Sequence, residues 1–164
     1  MTKWVGRAIG LSSAMLMVLA SPQPTSARNL PQGGVTREEI VSWLGQRGLT
    51  GKIKVDEHGE TIVKTAADGI NFDIYFMGCS AGRCNSVQFA AGWTPMSGVT
   101  GTAINNWNKD HRYIRAYLQP SNNIYGEYDV DVSPGGSWEQ LDGALARWRS
   151  SITIFAAYLN APAS

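Results

Sequence analysis

The chain has 164 residues, 43% hydrophobic and 16% charged, with 14 Lys and Arg against 13 Asp and Glu. Charge this close to balance, with no basic block, leaves no electrostatic footprint for nucleic acid. Two cysteines and two histidines, His58 and His111, well separated from each other, make a metal centre of those ligands an unexpected outcome.

Residues 1–27 read MTKWVGRAIGLSSAMLMVLASPQPTSA. Lys3 and Arg7 precede an apolar run from Ala8 to Ala20; Pro22 and Pro24 follow it, then the small residues Thr25-Ser26-Ala27. That order is expected of a secretory signal peptide cut after Ala27. The run is shorter than the ~20 residues a spanning helix needs, and no later run is long enough either. The expected mature protein is therefore periplasmic or secreted, with no membrane span and a size suited to a single core.

After a short expected tether at 28–34, a single domain is expected over 35–160. Thr36 and Glu39 have capping-box spacing, and Glu38 adds negative charge to the first turn. Val35, Ile40, Val41 and Leu44 form an apolar stripe and Gly48 a stop, so a helix is expected from Thr36 to Arg47. Strands are expected at 52–55, 60–65 and 70–76. Ile70, Phe72, Ile74 and Phe76 share one face of the third. The return strand, 84–93, presents Val87, Phe89 and Ala91. A short helix at 100–110 turns Ile104 and Trp107 inward. Strands follow at 112–118 and 124–132. Ser137 can cap a long last helix, on which Trp138, Leu141, Leu145, Trp148, Ile152, Phe155 and Leu159 recur in steps of three and four. The tail NAPAS is expected to fray. Tight turns imply antiparallel pairing. The expected class is α+β: a single antiparallel sheet backed by an N-terminal helix and a long C-terminal helix.

Cys79 and Cys84 sit in CSAGRC, where Ser80, Ala81 and Gly82 suit a hairpin tip. In an oxidising compartment such a pair is expected to form a structural disulfide. Redox chemistry of the thioredoxin kind uses two intervening residues, not four.

Glu127, Asp129 and Asp131 alternate along one strand and so share a face. Such carboxylates could serve a small metal-dependent or acid–base hydrolase. Arg115, and Arg112 beside it, can instead lie across the hairpin as charge partners. His111 ends a helix, where the dipole favours it without catalytic duty. No Gly-x-Ser-x-Gly elbow occurs, and Gly33-Gly34 and Gly135-Gly136 lack phosphate-loop spacing. No catalytic residue, metal ligand or cofactor is therefore assigned. Trp107, Trp138 and Trp148 fall on apolar stripes. Trp43 and Trp93 do not, and are the candidate surface contacts.

The stretch INNWN, with Asn105, Asn106, Trp107 and Asn108, precedes HRYIRAYL, a turn and EYDVDV. Together they resemble the YbjN family, labelled as bacterial sensory transduction regulators, over roughly Gly34 to Leu159. The resemblance implies a fold similar to type III secretion chaperones, which bind proteins and are not enzymes. It carries no catalytic residues. Many relatives look cytoplasmic and lack a leader or the Cys79/Cys84 pair, so this chain resembles an exported branch. The expected function is that of an exported, non-enzymatic binding or adaptor protein with a protein partner, or a homo-oligomer formed through an exposed sheet face. Trp107 and Ile104 are expected to pin the short helix, while the asparagines satisfy backbone groups at the corner.

Overall fold

The structure, a computed structural model, describes residues 27–160 together with Met1. The expected leader and the tail beyond Asn160 lie outside the described residues. Nine elements follow in chain order: α1 (Arg37–Gly45), β1 (Lys52–Val55), β2 (Thr61–Ala67), β3 (Ile70–Ser80), β4 (Arg83–Trp93), α2 (Gly101–Asp110), β5 (Arg115–Leu118), β6 (Ile124–Asp131) and α3 (Trp138–Leu159). The six strands form one sheet in the order β1-β2-β3-β4-β6-β5, and every neighbouring pair is antiparallel. The α+β class expected from the sequence is the one observed.

Local chemistry sets the element ends. Thr36 caps α1 and Glu39 reaches back to the Thr36 amide, completing the capping box. Thr100 and Ser137 cap α2 and α3 through hydrogen bonds to Ala103 and Gln140. Between β3 and β4, Ala81 and Gly82 both have positive φ, +48° and +81°. This is the two-residue turn whose twist matches an antiparallel hairpin. One pair behind it, beyond Ser80 and Arg83, Cys79 and Cys84 are register partners and are joined in a disulfide with Cα atoms 3.9 Å apart.

All three helices lie on the same side of the sheet. Leu141, Ala144, Leu145, Trp148, Ile152, Phe155 and Leu159 of α3 are buried against it. Trp148 meets Phe72 and Phe89, with ring centroids 5.5 and 5.8 Å away. Burying each large apolar side chain contributes about 1.5–3 kcal/mol, so α3 is a principal support of the core. Its approach to β6 depends on Gly126, where a Cβ would lie 3.1 Å from Phe155. Trp138, expected on the same stripe, is only half-buried.

Three expectations are corrected. Trp43, expected as a surface contact, is 2% exposed. It donates Nε1–H to Asp142 of α3 at 2.8 Å, and Arg47 lies over its ring. A nine-residue helix is too short for its own pattern to fix the buried face; packing beside α3 turned it toward Trp43 and left Val41 half-buried. Trp93, the other candidate contact, is half-buried edge-on against Phe155. Second, β5 begins at Arg115, not Arg112. Tyr113 takes a φ of +74°, a bend that carries Ile114 into the core, where it is buried. Third, residues 28–34 are docked rather than a tether. Leu30 is buried, its amide donates to the Gly136 carbonyl, and Arg28 pairs with Glu139.

Candidate functional site: the uncovered face of the sheet

Among the described residues every helix lies on one side, and none covers the other face of the sheet. The register lines its side chains up across the strands. One row runs Lys52, Lys64, Asp73, Ala90, Glu127, Arg115. Gln88 pairs with Tyr75 on one side and Asp129 on the other, and Tyr117 opposes Tyr125. Ala90 and Gly92 have little or no side chain, so the centre of the face is a hollow. It is about 760 Å³, and its walls include Lys64, Asp73, Tyr75, Gln88, Tyr117, Tyr125 and Glu127.

Glu127 organises the hollow. It is 8% exposed, a rarity for a carboxylate, and it is paired accordingly. Arg115, its register partner, forms an ion pair with it. The Tyr117 hydroxyl donates to it at 2.7 Å, and the Gln88 amide at 3.3 Å. The same Gln88 nitrogen donates to Asp129 at 2.8 Å. Lys64 and Asp73 pair at 2.9 Å across β2 and β3. The hydrogen bond to Glu127 raises the Arg115 pKa further above its ordinary value. Burial, then the bond to Glu127, raises that of Tyr117 well above the usual phenol range. Burial first, and the nearby Asp73 charge second, push Tyr75 up to about 12. Tyr75 and Tyr117 thus stay neutral over a wide pH range.

The expected carboxylate series does share this face, but it is not one cluster. Glu127 is buried in the network, whereas Asp129 and Asp131 are exposed. Arg115 is the partner anticipated across the hairpin. Arg112 instead lies over the Tyr113 ring. Among the described residues no group of three or more His, Cys, Asp or Glu side chains is placed to hold a metal ion. Sequence reasoning missed Tyr75, Tyr117, Tyr125, Gln88 and Lys64 as members of the face. The strand alternation carried that signal, but only the register brings them together.

The INNWN corner lies at the far edge, on the helix side. Trp107 is buried and donates Nε1–H to the Ile114 carbonyl at 3.3 Å. His111 stacks on Trp107, with centroids 3.8 Å apart and planes 7° apart. Asn108 bonds both backbone groups of Ala116, accepting from N–H and donating to the carbonyl at 2.9 Å each. Asn105 and Asn106 are exposed.

Sheet, helices and face together define a class: an α+β single-sheet scaffold with one face packed by helices and the other a hydrogen-bonded polar and aromatic surface. Within that class the chain belongs to the YbjN family, whose model, described as "Putative bacterial sensory transduction regulator", matches residues 36–161. No curated protein matches the chain. Among solved structures it is similar to the Yersinia pestis type III secretion chaperone SycH, solved in complex with a stable fragment of YscM2. Identity there is 14% and the TM-score 0.45, over 73% of this chain and 98% of that one. Among the described residues no helix is long and apolar enough to cross a membrane.

Proposed function

We propose that the chain is an exported, non-enzymatic adaptor of the bacterial envelope that holds a protein partner against the uncovered face of its sheet. The observation that carries this is the bonding of Glu127 to Arg115, Tyr117 and Gln88. A general base must be free to take a proton, and a metal ligand must offer an open lone pair. Glu127 already accepts from three neighbours, which suits a preformed contact surface better than either role. The tyrosines around it combine apolar area with a hydroxyl, a composition favoured at protein interfaces. Export is supported by the leader pattern of residues 1–27 and by the Cys79–Cys84 disulfide, a bond that oxidising compartments maintain.

The test compares the disulfide-intact protein with a Tyr75→Ala/Tyr125→Ala variant in affinity capture from envelope extract. Both are also melted with and without divalent cations. The proposal expects a stoichiometric protein partner that the variant loses, and melting indifferent to cations. A cation-dependent rise in melting temperature, removed by Asp129→Asn with Asp131→Asn, would overturn it in favour of a hydrolase using the Glu127/Asp129/Asp131 face.

A further inference from the structure

The two edges of the sheet are finished differently. At β5 the side chain of Asn108 occupies the backbone N–H and C=O of Ala116, so α2 closes that edge. At the other end, β1 has β2 on one side and, among the described residues, no strand on the other. All four residues of β1 are exposed. Ile53 is 39% exposed and Val55 65%, high values for aliphatic side chains on a sheet. An edge in this condition offers free backbone donors and acceptors to another extended chain.

The side chains of β1 say which chain. Lys52 and Lys54 belong to the uncovered face, Ile53 and Val55 to the helix-bearing one. Lys64, directly opposite Lys52, is paired with Asp73. Neither Lys52 nor Lys54 has an ion-pair partner among the described residues. A second copy fits badly. Two β1 strands paired antiparallel over three of their four residues, with their faces continuous, set Lys52 against Lys54 or Lys54 against itself. Like charges directly opposite one another repel. An incoming strand with carboxylates at those positions gains a cross-strand pair at each lysine, and its alternate residues cover Ile53 and Val55.

We propose that β1 is a docking edge for an extended segment of a partner protein in which acidic and aliphatic residues alternate. The edge adds to the adaptor function and borders the polar hollow only at its Val55 end, away from Tyr117 and Glu127. The segment extends the sheet to a seventh strand. Backbone hydrogen bonds hold it, and the two lysines select it.

The probe is the end-blocked peptide Thr-Glu-Val-Glu-Val-Thr, with Thr-Lys-Val-Lys-Val-Thr as the charge-inverted control. Amide chemical shifts of the isotope-labelled, disulfide-intact protein are followed as each peptide is added. The acidic peptide should shift the amides of Lys52 to Val55, and its affinity should fall as salt is raised. The inverted peptide should bind about tenfold more weakly, because two cross-strand attractions become repulsions. Lys52→Glu with Lys54→Glu should reverse the preference while leaving the thermal melt in place, since both side chains are exposed. Equal binding of the two peptides, no binding of either at millimolar concentration, or shifts centred away from β1 would each refute the docking edge. None of these bears on the Tyr75/Tyr125 test, so the two proposals fail separately.

Discussion

Asn108 spends its whole side-chain amide on one residue of the neighbouring strand. Asn108 is itself exposed but its two bonds are part-buried, and removing it leaves the N–H and C=O of Ala116 without those partners beside the buried Trp107 and Ile114. Asn108→Ala should therefore cost about 1–3 kcal/mol in urea unfolding, the range for stranding hydrogen-bonded backbone groups. Asn105→Ala, at an exposed position, should fall within about 0.5 kcal/mol of wild type. Equal losses at both would refute a role specific to Asn108. The sequence marks the corner, since three asparagines around one tryptophan suit a helix-to-strand transition. It does not mark which asparagine carries the bonds, because that depends on where β5 lies. Thr65 shows the reverse: its hydroxyl is buried without a hydrogen-bond partner among the described residues, which no reading of a β-branched strand position anticipates.

The join between α1 and α3 rests on one carboxylate. Asp142 accepts from Trp43 and from Arg47, which also pairs with it as an ion. Burial by itself would raise its pKa, but the hydrogen bonds from Arg47 and Trp43 and the Arg47 charge outweigh that and hold it below the usual value. The folded pKa then lies below the unfolded one, near ~4. Stability from this group is present above the unfolded value and is lost as pH falls through the folded value. Asp142→Asn should thus lower the melting temperature at pH 7, and the gap from wild type should narrow as acid carries the wild-type carboxyl through its lowered folded pKa. A gap of constant size across that range would mean the charge is irrelevant. At this scale α3 was legible but for its first turn: six of the seven residues expected on one stripe, Leu141 to Leu159, are buried, and only Trp138 is not. The buried face of α1 was not. Nine residues hold too few turns for periodicity to outvote a neighbouring helix.

Across the whole molecule, the sheet and α3 should outweigh the single crosslink. The disulfide joins residues five apart, and closing so short a loop restrains the unfolded chain little, at about 2 kcal/mol. Cys79→Ala/Cys84→Ala should lower the unfolding free energy by about that amount and leave one cooperative transition. Loss of the folded sheet in far-UV circular dichroism would instead make the crosslink essential. The backbone bridge between Val35 and Cys84 does not need sulfur, which favours the first outcome. Period and punctuation made the element order, the antiparallel class, the capping residues and the disulfide readable in advance, because each depends on residues close together in the chain. The hollow around Glu127, the burial of Trp43 and the contrast between a sealed β5 and an open β1 were not. Each depends on which strands become neighbours and in what register, and contacts between residues distant in the chain leave no periodic trace in it.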